Sequence, residues 1–97
     1  MTPIKKVEII VDSVELEKLK LILDKRGIKS YTIIKNIQGK GDRGVKSGDG
    51  LTDVFNNVYV MIACTDEEIN LFVEDVRKIL RKLGGICLIT DAVWIKH

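Results

Sequence analysis

Residues 57–83 read NVYVMIACTDEEINLFVEDVRKILRKL and contain one complete strand-to-helix unit. The first eight of them, 57–64, are rich in β-branched and apolar side chains, which predicts a strand. Thr65 and Glu68 have the spacing of a capping box, in which each side chain bonds the other residue's backbone N–H at a helix start. The helix that follows has the strongest apolar periodicity in the chain. Its apolar positions are Ile69, Phe72, Val73, Val76, Ile79, Leu80 and Leu83.

The N-terminal part of the chain repeats this arrangement of a strand followed by a helix. Residues 4–11 are rich in isoleucine and valine and predict the first strand. Asp12 and Glu15 form a second capping-box pattern, which predicts a helix that opens at Asp12 or Ser13. Gly27 is a natural end for that helix. An apolar stripe at helical spacing lies between these ends, at Leu16, Leu19, Ile22 and Leu23.

Two further strands complete the pattern. Residues 29–38 alternate and predict the second strand, and residues 86–90 predict the fourth, after a helix stop at Gly84 and Gly85. Residues 93–95 either extend the fourth strand or form a short fifth one. The order βαββαβ predicts the α+β ferredoxin-like sandwich, with both helices on one face of the sheet.

The strands look apolar on both faces. Ile10 lies between Ile9 and Val11, and Met61 lies between two other apolar residues. A sheet that is apolar on both sides in a chain of 97 residues predicts burial against other subunits. We therefore expect a homo-oligomer.

Composition limits the classes of function. With 45% hydrophobic and 31% charged residues, the chain predicts one soluble domain over 1–97. A net charge of +2 and scattered aromatic residues argue against nucleic-acid binding. The apolar runs are far shorter than the ~20 residues of a membrane span, so no direct membrane insertion is expected.

The cysteines and histidine bear on location and on metals. Cys64 and Cys87 lie in apolar runs of a chain without a signal segment, which favours a reducing cytoplasm. A disulfide between them requires neighbouring strands. With His97 as the one histidine and no CxxC pair, no metal site is expected.

A glycine-rich loop of about residues 39–56 separates the second and third predicted strands. Five of the eight glycines fall between Gly39 and Gly50. Loops of this length are usually functional or disordered. Glycine N–H groups beside Lys40, Arg43 and Lys46 suit an anion, with Arg43 able to bind two phosphate oxygens. A solvated hairpin connection remains an alternative, because the glycine pattern is neither a Walker A motif nor the start of a helix.

Two segments of the chain resemble the PII signalling superfamily. They are GIKSYTI at residues 27–33 and GKGDRG at residues 39–44. The similarity is closer to the PII-like branch, which includes the SbtB regulators of bicarbonate uptake. It extends over nearly the whole chain, through the strands, both helices and the Gly84–Gly85 turn.

The resemblance implies a homotrimer of ferredoxin-like subunits that binds adenine nucleotides in clefts between subunits. AMP, ADP, ATP and cyclic AMP are all candidate ligands, and bicarbonate is a second one by family association. The long loop is then a T-loop that docks onto a partner, commonly a membrane transporter. Residues implied to line the nucleotide site are Ile33, Ile34 and Lys35 near the adenine, and Gly39, Lys40, Gly41, Arg43, Gly44, Lys46, Gly84 and Gly85 near the phosphates.

Several departures separate this chain from PII proteins proper. Its loop is shorter and lacks a modifiable tyrosine, and Ile86-Cys87-Leu88 stands where a lysine follows the glycine turn. The C-terminal arginines of PII proteins and the cysteine-bracketed tail of SbtB-type chains are missing. Tight ATP and 2-oxoglutarate binding, or hydrolysis tied to that tail, is therefore not expected.

Three other functions stay open on sequence alone. A magnesium-dependent nucleotide hydrolase would use Asp42, Asp49 or Asp53, although acidic residues in glycine loops commonly form turns. A CutA-type trimeric metal-binding protein shares the fold, but histidines are scarce. A structural assembly domain would leave the cleft empty. We expect a sensor without catalytic residues and without a tightly bound cofactor.

Overall fold

The computed structural model describes residues 1–39 and 56–97, and the secondary structure in those ranges has the predicted order. The elements are strand β1 (Thr2–Asp12), a 3-10 helix (Ser13–Glu15), helix α1 (Leu16–Lys25), strand β2 (Thr32–Ile37), strand β3 (Asn57–Cys64), helix α2 (Asp66–Leu83) and strand β4 (Ile86–Trp94). The prediction of a βαββαβ fold is confirmed.

Some boundaries differ from the predicted ones. Strand β1 begins at Thr2, because its first residues pair with the end of β4 up to Trp94. The same pairing settles the alternative at residues 93–95, since β4 continues to Trp94 as one strand. Strand β2 begins only at Thr32, because the preceding chain turns at the end of α1, where the Ile28 N–H bonds the Leu23 carbonyl.

The described strands form an antiparallel sheet in the order β2-β3-β1-β4. Strand β1 is central and pairs with β3 on one side and β4 on the other. Ile9, for example, lies between Val60 and Cys87. Directly paired residues of an antiparallel sheet share a face, so this register assigns each strand residue to one side.

The core lies between one face of the sheet and the two helices. Val7, Ile9 and Val11 of β1 are almost completely buried there, and alternate residues of β3 join them. The helices contribute the predicted stripes. Their buried members are Leu16, Leu19, Leu23, Ile69, Phe72, Val76 and Ile79, while Ile22, Val73 and Leu80 are partly buried and Leu83 is exposed.

The two predicted capping boxes have different outcomes. At α2 the box is present, because the Glu68 N–H bonds Thr65 Oγ1 at 3.2 Å and the Thr65 N–H bonds Glu68 Oε1 at 2.9 Å. Asp12 instead accepts from the Val14 N–H at 2.9 Å and caps the 3-10 helix. The extra turn delays α1 to Leu16, so the carboxylate of Glu15 is buried and takes no part in a box.

The second face of the sheet is uncovered in the single chain and is mixed in character. Glu8 lies near its centre and accepts a hydrogen bond from the Tyr59 hydroxyl at 2.6 Å. This bond is the main reason that the pKa of Tyr59 is raised. Large apolar side chains surround the pair and are exposed, which agrees with the expected apolar character of this face. By register they include Ile34, Ile86, Leu88 and Trp94.

The turn before β4 packs closely on β1 at Gly85. Its φ is +125°, and an added Cβ would lie 2.5 Å from the Ile10 carbonyl oxygen. Gly27 also has a positive φ, +83°, but a Cβ there would meet no atom within 4 Å. We expect Gly85→Ala to lower the free energy of unfolding by about 2–4 kcal/mol. The control Gly27→Ala should lose only about 1–2 kcal/mol.

Denaturant unfolding of the two variants at the same chain concentration measures this difference. Equal losses would mean that the Ile10 contact does not constrain the turn.

Candidate functional site

One end of the sheet collects the described residues of the predicted site. Strand β2 ends there and continues to Gly39, and β3 begins there at Asn57, which pairs with Asp12 of β1. Strand β4 also begins at this end, after Gly84 and Gly85. The antiparallel order therefore brings the loop base and the glycine turn to the same end of the sheet.

These two parts nevertheless lie at opposite edges of that end. In the order β2-β3-β1-β4, β2 and β4 are the two edge strands. With neighbouring strands about 4.8 Å apart, β2 and β4 are separated by roughly 14 Å across the sheet. Gly39 instead lies beside Asn57, whose Nδ2 is 3.7 Å from the position of a Cβ on Gly39. Within one chain, Gly39 therefore lies on the β3 side of this end and Gly85 on the β1 side.

The two glycines of the turn before β4 differ in exposure. Gly84 is buried, and its N–H already bonds the Leu80 carbonyl at 2.8 Å as the cap of α2. Gly85 is exposed and lies over the Ile10 carbonyl. Because the backbone of Gly85 lies so close to that of Ile10, a side chain has no room at this position and only glycine fits.

The residues expected near adenine lie on both faces of β2. Ile33 pairs with Val60 and packs against the core, whereas Ile34 pairs with Tyr59 on the uncovered face and is about half exposed. Lys35 is exposed at a bulge, where the register shifts between Ile34 and Ile37. Of these two isoleucines, only Ile34 therefore has its side chain on the uncovered face.

Asn36 accounts for the bulge. Its φ is +59°, the left-handed region that asparagine tolerates better than most residues. Bulges bend strands and redirect side chains at the edges of sheets. Here the bend lies three residues before Gly39 and sets the direction in which the chain leaves β2.

Five of the predicted site residues lie outside the described ranges. They are Lys40, Gly41, Arg43, Gly44 and Lys46, and their roles remain predictions. The other end of the loop is anchored, because the Ser13 N–H bonds the Asn56 carbonyl at 2.7 Å.

Sequence reasoning missed the role of one acidic residue at this end. Glu15 is buried, and its Oε1 lies 3.9 Å from the Lys82 ammonium near the end of α2. The sequence carried a signal, since Glu15 is four residues before Leu19 and so shares the buried face of the helical stripe. A carboxylate at such a position needs a cation nearby, and α2 ends with Arg81 and Lys82.

The opposite end of the sheet has a different character. An open depression of about 540 Å³ lies there, where β1 begins, β4 ends and α2 starts. Lys5 bonds Asp91 in this depression, and its ammonium is 3.9 Å from Asp66. The bond to Asp91 raises the pKa of Lys5 and lowers that of Asp91. The depression contains none of the residues predicted to bind nucleotide.

Residues 1–39 and 56–97 contain no cluster of three or more histidine, cysteine or acidic side chains placed to hold a metal. None of the helices in those ranges is both long enough and apolar enough to cross a membrane.

The cysteines do not lie on neighbouring strands. Cys64 is on β3 and Cys87 on β4, with β1 between them, and both are free thiols. Their strand partners Lys5 and Ile9 are four residues apart on β1. The strand order therefore does not meet the condition for a disulfide. Burial raises the pKa of both thiols, that of Cys64 to about 11.

A match to a protein family covers nearly all of the chain. A family model described as nitrogen regulatory protein P-II matches residues 4–97. The protein therefore belongs to the P-II family, as a PII-like signalling protein. A comparison with curated proteins finds no significant match.

Solved structures of PII-like proteins have the same fold. CPII from Thiomonas intermedia K12, a nitrogen regulatory PII-like protein bound to ADP, AMP and bicarbonate, has a TM-score of 0.81 at 25% identity, covering 98% of this chain and 96% of that one. CPII bound to ADP and bicarbonate has a TM-score of 0.76 at 29% identity, covering 93% and 86%. The Bacillus subtilis GlnK–ATP complex, at 22% identity and a TM-score of 0.68 over 95% and 84%, is similar in fold alone.

The raised pKa of Cys64 predicts a fall in stability in alkaline solution. Between the ordinary thiol pKa of 9.0 and the raised pKa of about 11 in the folded protein, the unfolded thiol loses a proton that the folded thiol keeps. The unfolded state is therefore favoured as pH rises through this window. Cys64→Ala should reduce the slope of unfolding free energy against pH between 9 and 11, measured by urea titration. An unchanged slope would contradict the assignment.

Proposed function

We propose that this protein is a sensor of adenine nucleotides that binds its ligand between identical subunits and signals through the loop at residues 39–56. The observation that carries the proposal is the separation of the loop base from Gly85 across the sheet of one chain. Two edges that are distant within a subunit become neighbours when a β2 edge approaches the β4 edge of the next subunit. A homotrimer would create three such seams.

The uncovered face of the sheet supports the assembly. Leu88 is 54% exposed and Ile86 is 47% exposed, on the same face as the half-exposed Ile34. Apolar side chains clustered on one sheet face mark an interaction surface. Burying a polar group without a hydrogen bond is unfavourable. In the proposed trimer, Glu8 and Tyr59 would become buried, and the hydrogen bond between them lowers that cost.

The chemistry at the site end suits a nucleotide with few phosphates. The exposed backbone at Gly85 and the ammonium of Lys82 would contact phosphate oxygens, and Arg43 would complete the site from the loop. Ile34 would pack against the base. CPII at 25–29% identity binds ADP, AMP and bicarbonate, which favours the same ligand class here, with bicarbonate as the second ligand.

Signalling would follow from ordering of the loop. Phosphate contacts made by Arg43 offset part of the conformational entropy of the glycine-rich segment, so a ligand shifts the loop toward one shape. A partner protein, such as a membrane transporter, would recognise that shape. No catalytic step is proposed, and the SbtB-like branch remains a prediction.

Isothermal titration calorimetry with AMP, ADP, ATP and cyclic AMP tests nucleotide binding. We expect at least one of them to bind, and Arg43→Ala to weaken that binding by about tenfold or more, because a charge-assisted contact to phosphate is lost. Arg77→Ala is the control, since Arg77 pairs with Glu74 on the exposed surface of α2. Absence of heat with all four nucleotides would refute the proposal.

Leu88→Glu tests the assembly. A carboxylate at this position on the uncovered face should convert the trimer into smaller species, because burying an unpaired charge is unfavourable. Leu71→Glu is the matched control, since Leu71 is 52% exposed but lies on α2. Analytical ultracentrifugation should give a trimer for the wild type and for the control. A wild-type monomer, or a trimeric Leu88→Glu variant, would exclude this interface.

A further inference from the structure

Glu15 has an unusual environment for an acidic residue in so small a protein. It is 4% exposed, and its Oε2 accepts no hydrogen bond from the part of the chain that the structure describes. Among residues 1–39 and 56–97, the cation paired with it is the ammonium of Lys82, 3.9 Å from Oε1. Lys82 is itself largely exposed, so a buried negative charge lies directly beneath a surface positive charge.

The fold does not require this charge. A buried carboxylate with an oxygen that lacks a partner is unfavourable, and a solvent-exposed lysine compensates for it only in part. Glutamine would fill the same volume without an ionic charge. Departures of this kind from good packing are characteristic of functional sites.

The position of the pair connects it with the ligand. Lys82 lies three residues before Gly85, and Glu15 lies two residues after Ser13, whose N–H holds the Asn56 carbonyl. The contact between Lys82 and Glu15 therefore joins the end of α2, which leads into the glycine turn, to the 3-10 helix that anchors the loop. An anion bound at Gly85 would lie at the same end of α2 as the ammonium of Lys82, which is 3.9 Å from Glu15 Oε1.

We infer that Glu15 sets the charge preference of the nucleotide site, an inference that rests on the proposed function. Its negative charge offsets that of Lys82 and lowers the attraction of the site for phosphate. Coulomb energy grows with the charge of the ligand, so the penalty is largest for ATP and smallest for AMP. Glu15 thereby favours nucleotides with one or two phosphates over the triphosphate.

Glu15→Gln keeps the size of the side chain and removes its charge. Calorimetry should show tighter binding of all three nucleotides, by roughly threefold for AMP and roughly tenfold or more for ATP, with ADP between them. Lys82→Gln should have the opposite graded effect, weakening ATP most. The control Glu17→Gln removes the same charge from an exposed residue paired with Lys20 and should change affinities by less than about twofold.

The affinities for AMP, ADP and ATP distinguish a failure of this inference from a failure of the proposed function. If Glu15→Gln weakens binding, or changes all three affinities by the same factor, the residue acts by orienting Lys82 or by packing, and the inference is wrong. Unchanged affinities in Lys82→Gln would also refute it. If the wild type binds none of the three nucleotides, the proposed function fails and the inference fails with it.

Discussion

The pairing of β1 with two neighbours at once is the constraint on which the rest of the structure depends. Because β1 is central, its alternation divides the whole sheet into two faces. Val7, Ile9 and Val11 commit one face to the helices, so a shift of one residue in register would exchange core and surface. The same register places Glu8 and Leu88 on the uncovered face. Core and proposed subunit contact are therefore determined by one strand.

The position of the candidate site also follows from β1. Because β1 is central, β2 and β4 are the edge strands. The loop base and Gly85 therefore lie at the same end of the sheet but at opposite edges of it. The 3-10 helix that leaves β1 links them, through the Ser13–Asn56 hydrogen bond and the contact between Glu15 and Lys82. Binding chemistry in the proposed site thus depends on the turn after the central strand as well as on the glycine-rich loop.

The fold could be predicted from the sequence where local signals agreed with packing. The capping box at Thr65 and the stripe through Phe72 and Val76 fixed α2, and the order of elements implied the sheet. The capping box at Asp12 was wrong, because the helical spacing does not distinguish a 3-10 turn from the first turn of α1. For the site, composition indicated the glycines but not the strand order that separates them. Nor did it reveal the pairing of the buried Glu15 with Lys82, because these residues are 67 positions apart in the sequence.

The anchoring of the chain on both sides of residues 40–55 has an evolutionary consequence. Gly39 lies against Asn57, and Asn56 is held by Ser13, so the chain is fixed to the sheet at both ends of this segment. Substitutions, insertions or deletions within it need not disturb the scaffold, since lengthening a closed loop costs little entropy. Natural selection can therefore vary the surface offered to partners while the domain that carries it stays unchanged, which would let one architecture serve many regulated targets.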